Sequence, residues 1–415
     1  MKRIFWICSI LILCFTAFPQ QQSFIEQSLV INIEVPVRVF DGSRFVNDLT
    51  ISDFELLEDG MEQKIEAVYL ISERSIERSD ERKRFVPDTE RYFYLFFEIE
   101  VYTPELQRAM QLFIDDVYLP GDNLIIVTPV KTYRLKQDAT ELKNEQEILE
   151  EMRGFLRRDS RSGNTEFRNT VDDLAQLAQE IQGDIDLKKN LGGAMSGADL
   201  ELSGREDAQK IIQYAGLMTR LQTMRQADEM RLLDLADHLK NQMGQKYVFM
   251  FWERKYIPQI EPQLITEYLE LWEQDAYMEQ TLSTILDDRL MYNTRETYLD
   301  FTRIKQKFAD SSTVIHFLQI NRPRELRRGI SYFERAEDTY NAFREIVEAT
   351  GGYSESSQNP EYLFKNALDA SRNYYMIYYS PQDPKGDGKF KNIKVHIKGD
   401  EQNYRILHRA GYFDY

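Results

Sequence analysis

The strongest constraint on the fold is the run Arg91–Val101, which reads Arg-Tyr-Phe-Tyr-Leu-Phe-Phe-Glu-Ile-Glu-Val. An almost unbroken apolar run of this length, flanked by charge, is typical of a central parallel strand that is buried on both faces. The run ends in Glu98 and Glu100, just before a helix start at Thr103-Pro104. In an open α/β sheet, ligands bind in the crevice at the carboxyl ends of such strands. We therefore expect the functional site in the loop after this strand.

Strands and helices alternate along the middle of the chain, which predicts an α/β fold with a mainly parallel sheet. Further strands are predicted at Lys246–Trp252 and Thr313–Ile320, and an amphipathic helix at Pro104–Val117. A helical insertion, residues 139–245, interrupts the alternation. Its last part, Arg205–Met243, predicts one long helix, which either packs across the sheet or projects as an arm.

The two ends of the chain have the pattern of a small β domain. Val30–Phe40 alternates apolar and polar residues, as a half-buried strand does. Residues 28–72 are predicted to be the first part of this domain. Residues 359–415, a helix followed by a β hairpin, are predicted to complete it. The α/β domain, with its insertion, is then expected over residues 88–358.

The N-terminus has the pattern of an export signal. Met1-Lys2-Arg3 supplies positive charge, and Ile4–Phe18 supplies an apolar stretch that is short for a membrane span. We predict a signal peptide over residues 1–20, with a retained anchor as the alternative. The protein is therefore expected to be exported, either to the periplasm or out of the cell, with no membrane contact beyond this segment.

Composition excludes several classes of function. The chain is 42% hydrophobic and 29% charged, which is globular, and its formal net charge of -17 argues against nucleic acid and anionic membrane surfaces as partners. Both cysteines, Cys8 and Cys14, lie in the signal segment. A mature chain without cysteine excludes disulfides, cysteine nucleophiles and thiolate metal sites.

The usual catalytic arrangements are missing from the sequence. The four histidines have no zinc-type spacing, and no Gly-x-Ser-x-Gly turn follows a strand. The glycine-rich stretch Gly192–Gly197 lacks the Gly-Lys-Ser/Thr ending of a phosphate-binding loop and does not follow a strand. The sequence therefore predicts a protein that is not an enzyme.

Six short segments occur in a characteristic order. They are Val35–Lys64 with Phe45-Val46-Asn47-Asp48-Leu49-Thr50, Asp53-Phe54-Glu55 and Glu58-Asp59-Gly60, the strand at 91–97, Gly244–Phe251, Ala349–Tyr353, Tyr378–Pro381 and Arg409–Phe413. Together they resemble a family of bacterial exported proteins with a von Willebrand factor type A-related domain, abundant in acidobacteria-like lineages. The resemblance implies a Rossmann-like type A domain that binds a protein partner.

Type A domains often bind a divalent ion through an Asp-x-Ser-x-Ser loop, a threonine and a later aspartate. Here the resemblance places Glu98, Glu100 and Tyr102 at the loop positions and Glu253-Arg254 at the aspartate-glycine position, with Thr165 or Thr170 as the threonine. Both serine hydroxyls are therefore missing. The pattern is that of a degenerate metal-ion-dependent adhesion site.

Two interpretations of these carboxylates follow. In the first, no metal binds, no cofactor is needed, and Arg254 pairs with a glutamate to offset the repulsion between the carboxylates. In the second, Glu98, Glu100 and Glu253 hold Mg²⁺ or Ca²⁺, which prefer oxygen ligands. The first interpretation predicts a metal-independent protein-interaction module, and the second predicts a cation-dependent adhesion protein.

Overall fold

The computed structural model describes residues 32–135, 144–191, 197–224, 229–254, 256–273, 275–277, 279–280, 283–284, 300–323, 326–333, 337–382, 384–399 and 404–415. The strands are β1 (Ile33–Asp41), β2 (Arg44–Phe45), β3 (Phe54–Glu58), β4 (Met61–Gln63), β5 (Ile65–Ser72), β6 (Ser75–Glu81), β7 (Arg91–Glu98), β8 (Asn123–Val127), β9 (Thr132–Leu135), β10 (Gln245–Glu253), β11 (Ile257–Ile260), β12 (Thr313–Ile320), β13 (Ile330–Phe333), β14 (Ser354–Ser357), β15 (Asn373–Tyr379), β16 (Phe390–Ile397), β17 (Arg405–His408) and β18 (Gly411–Phe413). The helices are α1 (Pro104–Asp116), α2 (Glu145–Gly163), α3 (Thr165–Leu191), α4 (Gly197–Thr223), α5 (Glu229–Lys240), α6 (Pro262–Glu270), α7 (Phe301–Asp310), α8 (Glu337–Thr350) and α9 (Pro360–Arg372). The predicted signal segment lies outside these residues.

A six-stranded mixed sheet in the order β14-β12-β10-β7-β8-β9 carries the apolar runs seen in the sequence. Its first five strands are parallel, and β9 runs antiparallel to β8. Every residue of β12 is buried. Such complete burial requires cover on both faces of the sheet.

Helices cover both faces of this mixed sheet. On one face, α1, α2 and α9 pack on side chains such as Phe97, Phe249 and Leu318. On the other face, α5, α7 and α8 pack on side chains such as Val248 and Phe317. Helix α1 begins directly after β7, where the Thr103 side chain accepts a hydrogen bond from the Leu106 N–H. The loop between β7 and α1 is therefore fixed at both ends.

The prediction of a mainly parallel, Rossmann-like sheet is wrong. Ten of the fourteen strand pairings in the described residues are antiparallel, and the mixed sheet contains all four parallel ones. A second six-stranded sheet, β17-β1-β15-β5-β6 with β2 on β1, is antiparallel throughout. So are the four-stranded sheet β18-β16-β3-β4 and the pair β11-β13.

The error has a physical cause. The prediction weighed the long apolar runs most heavily, because parallel strands buried on both faces read that way. Of the strands near the ends, β16 alternates between buried and exposed residues, whereas β1 and β15 are buried almost throughout; these strands join through turns or pair across the length of the chain. Strand β1 pairs with β15 on one side and with β17 on the other. The first and last parts of the chain thus share one sheet.

The helical insertion contributes a separate core. Helices α3, α4 and α6 pack with the β11-β13 pair around Leu174, Ile211 and Tyr268. In place of one helix over Arg205–Met243, the structure has α4 and α5, and residues 225–228 between them lie outside the described part. Within that part, no helix is both long and apolar enough to cross a bilayer.

Candidate functional site

Three neighbouring parallel strands of the mixed sheet end side by side. Strand β7 ends at Glu98, β10 at Glu253 and β12 at Ile320. The Arg254 N–H donates to the Ile320 carbonyl at 2.9 Å, which holds the two chain segments together just beyond the strands. The loops that follow these three strands therefore lie along one edge of the sheet, as the general rule for such sheets predicts.

A basic cleft lies along this edge, and we call it the arginine cleft. It consists of two adjoining pockets of about 630 and 220 Å³, which share Glu100, Val101 and Arg168 in their linings. The cleft is lined by two carboxylates, Glu100 and Glu253, and by seven arginines. These are Arg157, Arg158, Arg161, Arg168, Arg254, Arg322 and Arg327. In a chain with a formal net charge of -17, such a local excess of positive charge is a distinct electrostatic feature.

The corner between α2 and α3 positions the helical arginines. The Asn164 side-chain amide donates to the Ile99 carbonyl at 2.9 Å and to the Ser160 carbonyl at 2.8 Å, which ties the corner to the loop after β7. A Cβ atom at Gly163 would lie 2.5 Å from Pro129 Cβ, so the close approach needs glycine. Arg157 and Arg161 are exposed and stand four residues apart, on the same side of α2.

The arginines differ in how their charge is offset. Arg158 pairs with the buried Asp159 at 3.0 Å. Arg327 pairs with Asp172, which lies on α3. By contrast, Arg157, Arg161 and Arg168 form no ion pair in the part of the chain that the structure describes; Arg168 donates to the Arg161 carbonyl oxygen. Three guanidinium groups of the cleft therefore keep their charge available for a ligand.

Two of the three predicted metal ligands come together at the cleft. The Glu100 N–H donates to Glu253 Oε2 at 2.7 Å, and Arg322 lies 3.5 Å from Glu253 Oε1. Glu253 is buried, and both of its carboxylate oxygens thus have a partner. Glu98 stands opposite Trp252 in the ladder, so strand alternation places it on the face away from Glu253. The three carboxylates do not converge on one point.

The other positions implied by the resemblance are also engaged. The Thr165 hydroxyl donates to the Arg161 carbonyl in the last turn of α2, and the Thr170 hydroxyl donates to the Glu166 carbonyl within α3. Burial raises the pKa of Tyr102 to about 12, against the opposing charges of Arg153 and Arg157, so the phenol stays protonated. No group of three or more potential metal-ligating side chains occurs in the described residues.

We expect Mg²⁺ or Ca²⁺ to leave the unfolding temperature of the chain unchanged relative to EDTA. The physical reason is that the Glu253 carboxylate already accepts a backbone hydrogen bond and faces Arg322. A bound ion would instead raise stability by mass action, by about 2.7 kcal/mol at a hundredfold excess over its dissociation constant. Thermal unfolding in EDTA and in each ion checks this. An upward shift that disappears in Glu253→Gln would establish the cation site.

The arginines, which outnumber the carboxylates at this edge, were not among the residues predicted from the sequence. A signal was present: Arg157, Arg158, Arg161 and Arg168 form a basic stretch in an acidic chain. The spacing of Arg157 and Arg161 places them on one side of a helix. What the sequence does not contain is the fold of the α2–α3 corner, which brings this stretch to the ends of β7 and β10.

Comparison of the chain with protein-family models, with characterised proteins and with solved structures finds no match. The resemblance to the von Willebrand factor type A-related family therefore stays a prediction. The case for a function rests on the arginine cleft itself.

Proposed function

We propose that the protein is an exported, non-enzymatic interaction module that binds an acidic segment of a partner protein in the arginine cleft, without a metal ion. The observation that carries this proposal is the set of three cleft arginines, Arg157, Arg161 and Arg168, that have no carboxylate partner among the described residues. Export is proposed from the N-terminal sequence alone. Glutamate and aspartate side chains are the natural ligands of guanidinium groups, which can hold a carboxylate with two parallel hydrogen bonds.

The shape of the cleft favours a peptide segment over a single small ion. The two pockets share part of their lining, and their volumes of about 630 and 220 Å³ exceed what a single small ion fills. The smaller pocket also has apolar and aromatic lining from Phe167, Val171 and Tyr332. A ligand that combines acidic side chains with an apolar one would use both kinds of surface, as protein interfaces commonly do.

The test is binding of a fluorescein-labelled poly-glutamate peptide with one central phenylalanine, followed by fluorescence anisotropy. We expect Arg157→Gln with Arg161→Gln to weaken binding about tenfold, since exposed ion pairs contribute up to about 1 kcal/mol each and 1.4 kcal/mol is a factor of ten. Binding should weaken further as salt is raised, because screening acts on exposed charges. EDTA should have no effect.

A matched control is the pair Arg303→Gln with Arg344→Gln, two exposed arginines on α7 and α8, remote from the cleft lining. It removes the same charge from the chain and should leave the affinity nearly unchanged. A poly-glutamine peptide of the same length should not bind. If the acidic peptide fails to bind, or if both double variants weaken binding equally, the arginine cleft is not the docking surface.

A further inference from the structure

An acidic surface with an exposed aromatic ring lies at the end of α6. We call its five residues the Tyr277 segment: Glu270, Glu273, Asp275, Tyr277 and Glu279. The four carboxylate residues are exposed, and Tyr277 is 77% exposed. The sequence around them, residues 256–288, contains no lysine, arginine or histidine. The segment therefore presents acidic groups together with one large ring, which is the combination that suits the two pockets of the arginine cleft.

A buried tryptophan fixes this segment to the helical insertion. Trp272 is 4% exposed, and its indole Nε1 donates to the Asp207 carboxylate at 3.0 Å. Lys188, in the last turn of α3, pairs with the same carboxylate at 2.6 Å, and its Nζ lies 4.0 Å from the centre of the Trp272 ring. The Tyr277 segment is therefore held beside the C-terminal end of α3.

The arginine cleft lies at the other end of the same helix. Arg168 is in the first turn of α3 and Lys188 is in the last, so a rise of about 1.5 Å per residue places them about 30 Å apart. The chain from Trp272 to Tyr277 extends by at most about 17 Å. Tyr277 is therefore well away from the cleft of its own molecule, whereas the cleft of another molecule is open to it.

We propose that the Tyr277 segment of one molecule binds in the arginine cleft of a second copy of the chain. The inference rests on the proposed function and identifies the partner. In this contact the segment's carboxylates pair with Arg157, Arg161 and Arg168, and the Tyr277 ring enters the smaller pocket beside Phe167. The two surfaces differ, so the contact is heterologous, and each pair of molecules keeps one free cleft and one free segment.

The charge of the whole chain sets the strength of this association. A formal net charge of -17 makes copies repel each other, but at physiological ionic strength exposed charges more than about 8 Å apart are largely screened. Charge complementarity at the contact then decides which surfaces meet. Because exposed ion pairs are individually weak, we expect an association that depends on protein concentration.

The experiment is static light scattering of the native chain at physiological ionic strength, up to about 1 mM protein. We expect the mean molar mass to rise with concentration. The cleft variant, Arg157→Gln with Arg161→Gln, should weaken the association about tenfold, for the reason given for the acidic peptide. The segment variant, Glu273→Gln with Glu279→Gln, should weaken it by a similar factor.

A matched control for the segment variant is Glu345→Gln with Glu348→Gln, two exposed glutamates on α8. It lowers the net charge by the same amount and should leave the association nearly unchanged. Tyr277→Ala should weaken self-association but leave the affinity for the acidic peptide unchanged, because the peptide supplies its own phenylalanine.

Mixing the cleft variant with the segment variant gives the sharpest test. At a concentration where neither associates alone, the mixture should form a 1:1 dimer and nothing larger. The intact segment of the first variant binds the intact cleft of the second, and the surfaces left over are the altered ones. A symmetric contact between identical surfaces does not produce this result.

A constant molar mass of the native chain, or cleft and segment variants that associate like the native chain, would overturn the inference. The acidic peptide judges the proposed function separately. If the peptide binds while the native chain stays monomeric, the cleft takes a segment of a different protein, and only the inference fails. If the peptide does not bind either, the inference and the proposed function both fail.

Discussion

Replacing Asp122 with asparagine should lower the free energy of unfolding by about 3–5 kcal/mol, the usual cost of leaving one partner of a buried ion pair uncompensated. Asp122 is fully buried and Arg91 is 4% exposed. Two hydrogen bonds join them, Arg91 Nε to Asp122 Oδ1 at 3.0 Å and Nη2 to Oδ2 at 2.5 Å. After the substitution, the guanidinium would stay buried beside a neutral amide.

The pair has a defined place in the fold. Arg91 is the first residue of β7, and its Nη2 also donates to the Val117 carbonyl at 2.9 Å. Asp122 accepts from the Leu119 N–H at 2.8 Å, within the turn before β8. The pair therefore joins the start of the central strand to the α1–β8 loop, and its loss affects two elements of the mixed sheet at once.

Urea unfolding near neutral pH measures the effect. Asp369→Asn is the matched control, because its partner Lys365 and Asp369 itself are 59% and 55% exposed. Exposed pairs contribute little, so this control should change stability much less. The double variant Arg91→Met with Asp122→Leu should recover most of the loss, since it leaves no charge without a partner. Equal losses of stability in Asp122→Asn and Asp369→Asn would contradict the assignment of the large effect to the buried Arg91–Asp122 pair.

The second large effect is a loss of stability in mild acid, caused by His316. This imidazole is 1% exposed, stacks on Phe249 with ring centroids 4.7 Å apart, and is influenced by the charge of the buried Arg38 guanidinium. Burial, and then the charge of Arg38, holds the pKa of His316 well below its usual 6.5. In mild acid, the His316 imidazole therefore binds a proton in the unfolded chain but not in the folded protein.

The direction of the effect follows from that difference. Above about pH 6.5 the imidazole is neutral in both states, and it has no influence. Below that pH the unfolded state binds a proton and the folded state does not, so stability falls by up to about 1.4 kcal/mol for each pH unit until the folded pKa is reached. Burial also lowers the pKa of His408, whose Nε2 accepts from the Val395 N–H at 3.3 Å, so His408 acts in the same direction.

Urea unfolding between about pH 7.5 and 5 tests this prediction. His316→Gln should show a slope against pH smaller by up to about 1.4 kcal/mol per unit than that of the native chain. His238, which is exposed on α5, provides the control, and His238→Gln should keep the native slope. If His316→Gln shows the same slope of stability against pH as the native chain, His316 is not the source of the pH dependence.

The sequence reveals some strands of this fold much better than others. The apolar runs that became β7, β10 and β12 are evident because strands buried on both faces lose the alternating pattern. The strands of the antiparallel sheets have weaker patterns in the sequence. Strand β2 has two residues and β4 has three, which is too few for an alternating pattern to be recognised, although each pairs with the strand just before it through a tight turn. The predicted fold class was wrong because it gave the buried parallel strands more weight than the antiparallel strands that were also expected at the two chain ends.

The candidate site likewise has some features that local sequence patterns reveal and others that they do not. The edge of the sheet could be located from Glu98 and Glu100, because they follow the strongest strand. The sequence could not show that Glu253 accepts a hydrogen bond from the Glu100 backbone or that Arg322 faces it, since these contacts join loops far apart in the chain. Nor could it show that Arg161 and Arg168 border the same cleft. Long-range packing decides such neighbours, and local patterns do not record it.

The position of β1 between β15 and β17 has a consequence for how the protein is made. Synthesis proceeds from the N-terminus, so Ile33–Asp41 is made early; its last two residues can pair at once with β2, but its longer partners β15 and β17 are made near the end. Until then most of the strand is unpaired on both edges, the kind of surface that recruits other chains. Pairings between distant segments also form slowly, because a long loop must close first. The newly made chain therefore passes through a period in which β1 is prone to self-association, and that period ends only when β15 and β17 have been made.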